Sequence, residues 1–193
     1  NRQGLVSEIV KEKNITTLYG NIAIGQHRYS TTGGSVIENA QPVFKNGRYK
    51  LSIVHNGNID SIKLREELLS SGAKLKGDSD TELIATLIAH SKAPTLEEAV
   101  REACSKISGA YSLLILSQGK LIATRDPYGI RPLFLGRLKN EDGDFYLLSS
   151  ETCALDQTNA EIIREINPGE MLVFAEGKMK SQKSCVSCKR SSL

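Results

Sequence analysis

The sequence predicts an α+β domain in which antiparallel sheets are covered by helices, and three observations carry that expectation. Short apolar runs broken by turn residues gather in the first quarter of the chain and return after residue 109. Apolar residues at helical spacing gather between them, over residues 60–107. The two patterns are grouped and do not alternate, which argues against parallel βαβ units. The 193 residues suit one domain, or one with a tail, and are enough to bury a sizeable core.

In chain order, residues 21–26 and 49–55 read as strands, with Thr31-Thr32-Gly33-Gly34-Ser35 as loop between them. Asp60 is placed to cap a helix carrying Ile62, Leu64, Leu68 and Leu69, which Gly72 stops. Ser79 with Glu82, and Thr95 with Glu98, have the spacing of capping boxes, in which a hydroxyl accepts from the third helical N–H. Leu83, Ile84, Leu87 and Ile88 follow the first; Leu96, Ala99, Val100, Ala103 and Ile107 follow the second. Beyond Gly109 the pattern turns to hairpins, 111–117 with 120–124 around Gln118-Gly119, and 170–175 with 178–181 around Glu176-Gly177. Between these, 133–138 and 145–149 flank an acidic turn, and 153–157 reads as a short helix with Cys153 buried. Residues 182–193 read as a linker or frayed tail after a domain over 1–181.

Composition narrows the function. Lys plus Arg is 25 against 22 for Asp plus Glu, a net charge of +3, too balanced for a nucleic-acid binder or a polybasic membrane protein. The longest apolar stretches, such as 111–116, fall far short of a membrane span, and no secretory signal is visible. Four cysteines suggest a reducing compartment more than a disulfide framework. The expectation is a soluble, cytoplasmic protein. Cys185-Val186-Ser187-Cys188 is a lone C-x-x-C, and a zinc site needs a second pair. His90 ends a helix, where it suits the dipole.

Three polar clusters could hold chemistry. Arg28, at a strand exit and followed by hydroxyls and two glycines, suits a carboxylate gripped at two points by the guanidinium fork; the same residues suit a surface arginine on a turn. His55-Asn56-Gly57-Asn58 contains Asn-Gly, most often a tight turn. An Asn amide and the next N–H also converge readily on one oxygen, as in an oxyanion hole. In Asp78-Ser79-Asp80, capping accounts for one group and leaves a spare carboxylate to receive an amine. Arg28 and that carboxylate together would hold an amino acid by both ends. The segment Arg125-Asp126-Pro127-Tyr128-Gly129-Ile130-Arg131-Pro132 reads as a stiff turn whose arginines pair locally.

Taken together, Gly25 to Thr31, Glu38-Asn39-Ala40-Gln41-Pro42, His55 to Asn58, Ser79-Asp80-Thr81-Glu82, Arg125 to Pro132 and Ser150 to Asp156 closely resemble the glutaminase domain of the amidophosphoribosyltransferases, a branch of the class II glutamine amidotransferases. The resemblance runs from Gly4 to Glu170. It implies an N-terminal-nucleophile fold, a four-layer αββα sandwich. It also implies that an N-terminal cysteine thiolate attacks the glutamine amide with its own α-amine as base. Asn56 and the Gly57 N–H match the oxyanion hole; Arg28, with Thr31 beside it, matches the grip on the α-carboxylate, and Asp80 the receiver of the α-amine. Ammonia then passes to a phosphoribosyltransferase domain using phosphoribosyl pyrophosphate and Mg²⁺, giving phosphoribosylamine for purine synthesis. No cofactor is expected in the glutaminase domain itself, and a homo-oligomer is expected with no nucleic-acid or membrane partner. The family's Cys-Gly start lies upstream of the Gly4 match, and its phosphoribosyltransferase half lies downstream. Cys104, Cys153, Cys185 and Cys188 match no catalytic position. The expectation is therefore a fragment that hydrolyses no glutamine unaided. A non-catalytic glutamine- or partner-binding module, or the glutaminase half of a hexosamine or asparagine synthase, are the competing expectations.

Overall fold

The computed structural model describes residues 19–27 and 36–184. After a 3₁₀ turn over Ile37–Asn39 come β1 (Val43–Lys45), β2 (Leu51–Ile59), and helices α1 (Ile62–Ser70), α2 (Asp80–His90) and α3 (Leu96–Lys106). The second half holds β3 (Gly109–Ser117), β4 (Lys120–Arg125), β5 (Phe134–Asn140), β6 (Gly143–Ser149), α4 (Thr152–Gln157), β7 (Glu161–Glu165), β8 (Glu170–Ala175) and β9 (Lys178–Lys183). The strands form a six-stranded antiparallel sheet in the order β1-β2-β3-β4-β8-β9 and a three-stranded one in the order β6-β5-β7.

Strand alternation divides the core in two. Tyr111, Leu113 and Ile115 of β3, with Ile53, Ile122, Met171 and Val173, face Leu83, Ile84 and Ile88 of α2 and Ala99, Val100 and Ala103 of α3. The opposite pleats carry Leu114, Ala123, Leu172 and Phe174, which meet Leu135, Leu148 and Ile166 under the smaller sheet. α4 closes the far side: Leu155 is 1% exposed, and a Cβ on Gly136 would lie 2.9 Å from its Cδ2. The layers therefore run helices, six-stranded sheet, three-stranded sheet, helix, as expected from the resemblance. β7 fastens the two sheets. Arg164 gives both terminal nitrogens to Glu170 of β8 at 2.7 Å, and Arg125 of β4 pairs with Glu165 at 2.8 Å.

Both caps form, with Ser79 Oγ accepting from Glu82 N at 3.3 Å and Thr95 Oγ1 from Glu98 N at 3.2 Å. Both tight hairpins form as well. Gln118 and Gly119 take φ of 46° and 78°, and Glu176 and Gly177 take 52° and 69°, the I′ geometry that matches strand twist.

Several expectations are corrected. Residues 21–26 belong to no strand, since no described residue pairs with them in a ladder. β1 and β7 were not anticipated. α1 begins after Ser61, not Asp60, and without a side-chain cap. The Glu82 carboxylate turns away from Ser79 N, so that box is half made. Cys153 is exposed; Leu155, two residues on and near the opposite side of the helix, takes the buried position. β9 runs to Lys183, two residues past the strand end expected at 181. The stretches 1–18 and 185–193, with Cys185 and Cys188, lie outside the described residues, as does the 31–35 loop. No described helix is long and apolar enough to cross a membrane.

Candidate functional site

The Asn56-Gly57 pair is not a turn. It lies inside β2, with Asn56 opposite Ser112 and Gly57 opposite Tyr111. Glycine is required here by conformation and space: φ is +154°, and a Cβ would stand 2.0 Å from the Ala110 carbonyl oxygen of β3.

β1 pairs with β2 only through residues 51–53, and among the described residues no strand pairs with the edge beyond. Side chains occupy it instead. The Gln41 amide behaves as one more rung, its Oε1 accepting from His55 N at 2.6 Å and its Nε2 donating to His55 O at 3.4 Å. Asp80 Oδ2 accepts from Ile59 N at 3.3 Å. His55 and Ile59 thus turn their N–H groups away from β3, and the strand's alternation sends the Gly57 N–H the same way. That N–H is left on an edge whose neighbours on either side are already bonded.

Asn56 projects from the other pleat into a cleft between the sheets, lined also by Gln26, Val54, Ser112, Leu133 and Ser149. Its Oδ1 accepts from Arg131 Nη2 at 2.5 Å.

Asp80 stands at the first position of α2, favourable for an anion at the positive end of the helix. Burial alone would raise its carboxyl pKa. The hydrogen bond and charge of His55, with the Ile59 and Thr81 N–H groups, outweigh this and hold it below the ordinary value. His55 Nδ1 lies 3.4 Å from both Asp80 Oδ1 and Thr81 Oγ1.

The loop entering α2 is set by Asn39 and Glu82. Asn39, fully buried, accepts from Asp78 N and Ser79 N at 3.2 Å and donates to the Asp78 carboxylate. Glu82 accepts from Lys76 N, from Gly77 N at 2.7 Å and from Lys45 Nζ at 2.5 Å. Asp78 is engaged by Asn39, while the Asp80 carboxylate is held by the Ile59 N–H, His55 and Thr81.

Of the residues anticipated from the sequence, the structure gathers Asn56, Gly57 and Asp80 along one end of β2, while Arg28 and Thr31 lie outside the described residues. Sequence reasoning assigned no role to Gln41, Asn39, His55 or Arg131. The first two belong to the Glu38 to Pro42 segment, which carries the resemblance; polar residues tied to positions 14 to 40 residues away leave no local periodicity. Among the described residues no three His, Cys, Asp or Glu side chains are close enough to hold a metal ion.

The family model for the glutamine amidotransferase domain matches residues 27–157. A chloroplastic amidophosphoribosyltransferase of Arabidopsis thaliana is 43% identical over 181 residues, 93% of this chain and 32% of that protein. The amidophosphoribosyltransferase of Bacillus subtilis is 38% identical over 194 residues, 98% of this chain and 40% of the relative. The solved glutamine phosphoribosylpyrophosphate amidotransferase of B. subtilis, complexed with ADP and GMP, superposes with a TM-score of 0.87 at 34% identity over 98% of this chain and 40% of that one. The chain thus spans about a third to two fifths of the length of these relatives.

Proposed function

The chain belongs to the glutamine amidotransferase domain family, and from that premise we propose that it is the glutaminase half of an amidophosphoribosyltransferase. One observation carries the reading. The Asn56 amide and the adjacent Gly57 N–H sit where β2, paired with β3 on one side, has no strand partner among the described residues on the other, with Asp80 anchored two residues further on.

Glutamine lies along this edge with its α-amine on Asp80 and its α-carboxylate on Arg28, Thr31 beside it. The nucleophile is the thiolate of an N-terminal cysteine, as the family resemblance implies. It attacks Cδ of the side-chain amide, and the carbonyl π electrons move onto oxygen. Asn56 and the Gly57 N–H hold that oxyanion. Collapse expels the nitrogen as ammonia, protonated by the cysteine's own amine, and leaves a thioester that water converts to glutamate. Low Asp80 pKa keeps the carboxylate charged for the ammonium group at working pH.

The ammonia then displaces pyrophosphate from phosphoribosyl pyrophosphate in the second half of the enzyme, giving 5-phosphoribosylamine for purine synthesis. The reading also takes the enzyme as cytoplasmic and homo-oligomeric. In the full-length protein, Asn56→Ala should lower glutamate release from glutamine by about 10²- to 10³-fold, the usual cost of one oxyanion donor. Unchanged release would remove Asn56 from that role. Arg28→Ala should weaken glutamine use while ammonia-dependent synthesis survives, and equal loss of both would contradict the assignment.

A further inference from the structure

We infer that Arg131 is a positioning residue for the oxyanion hole: it fixes which way the Asn56 amide faces and charges the donor it presents. The inference rests on the glutaminase reading above and deepens it at the same site.

The chemistry of the contact leaves one orientation. A guanidinium carries five N–H donors and no acceptor, so the atom of the Asn56 amide that meets Arg131 Nη2 at 2.5 Å must be the oxygen. The amide nitrogen is then turned away from the arginine, and no described residue accepts from it. Without that contact the amide could rotate by half a turn at little cost and offer its oxygen to the developing negative charge. The bond removes the wrong rotamer. A full positive charge on Oδ1 also draws electrons from the amide and makes its N–H a stronger donor.

The surrounding turn is built to hold that one guanidinium. The fully buried Asp126 carboxylate accepts from Tyr128 N at 3.0 Å, Ile130 N at 3.1 Å and Arg131 N at 3.1 Å. Arg125 Nε donates to the Arg131 carbonyl at 2.6 Å and Nη2 to the Gly129 carbonyl at 2.6 Å. Pro132 then fixes the exit. The arginine itself is less well served: its Nε is buried with no described partner, an uncompensated donor accepted for the sake of reaching Asn56.

A purely structural arginine would lower thermal stability and leave the kcat of the folded protein unchanged. A double-mutant cycle on glutamine turnover in the full-length protein separates the two. Arg131→Met should lower kcat by about 10- to 100-fold with KM changed less than about twofold, part of the loss expected for a donor removed outright. In the Asn56→Ala background the same change should have no further effect. Arg131→Lys, also donor-only and charged, should keep more of kcat than Arg131→Met, and it serves for the cycle if the methionine variant does not fold. Equal losses in both backgrounds, or an unchanged kcat, overturn the inference while leaving the glutaminase reading in place. A wild-type protein that releases no glutamate from glutamine brings down both.

Discussion

At Gly57 the absence of a side chain is what lets β2 and β3 meet where the oxyanion would form. Gly57→Ala puts a Cβ against a backbone oxygen at 2.0 Å and against His55 Nε2 at 2.8 Å. The oxygen belongs to the sheet and cannot swing aside, so the strands must part. The expected result is a loss of about 1–3 kcal/mol in stability with glutamine turnover all but gone, read from thermal melts and steady-state rates. Normal turnover with an unchanged Tm would contradict the close approach. The dipeptide shows what was hidden in the sequence. Asn-Gly favours a turn locally, and the pairing that overrides it comes from Tyr111 and Ser112, more than fifty residues away. The two framework cysteines behave oppositely. Burial pushes the Cys104 thiol up to about 11 despite hydrogen bonds with Tyr111 and Thr124, whereas Cys153 is exposed. A thiol reagent at neutral pH should label Cys153 and leave Cys104 until the protein unfolds; mass spectrometry of the labelled peptides checks this.

At the scale of elements, α2 is the piece that delivers Asp80, and its start is held from outside the helix. Asn39→Ala would strand the buried Ser79 N–H and release the Asp78 carboxylate and N–H. It should cost about 1–3 kcal/mol and raise the KM for glutamine more than it lowers kcat, because it loosens the residue proposed to hold the α-amine. A KM unchanged in the presence of the expected destabilisation would separate the Asn39 contact from Asp80. The helices were legible because caps and apolar spacing are local properties, and Ser79 and Thr95 announced theirs. β7 was not. Its Glu161–Glu165 sequence is mostly exposed, lies at a sheet edge and earns its place through Arg164 and Glu165 reaching another sheet. β1 is three residues long, too short for any alternation to register.

For the whole molecule, the junction between sheets sets the response to acid. Burial alone would raise the Glu170 carboxyl, but Arg164, Ser181 and the Asn167 N–H bring it down from 4.5 to about 2. A carboxylate depressed in the folded state binds its proton more readily once unfolded. Its contribution is complete above about pH 4.5 and is lost as pH falls toward 2. Glu170→Gln should therefore lower Tm at pH 7 and flatten the decline of Tm across that window. A variant whose acid profile parallels the wild type would place the sensitivity elsewhere. The order of strands carries one more consequence, for how the molecule comes together in time. β3–β4, β5–β6 and β8–β9 are joined by tight connections and can zip locally, whereas β2 must find β3 across all three central helices. Closing that loop carries an entropic penalty of about 3 kcal/mol before the first rung repays it. The strand bearing Asn56 and Gly57 is thus among the last to dock, and on dilution from denaturant the helical circular dichroism should recover ahead of the capacity to turn over glutamine.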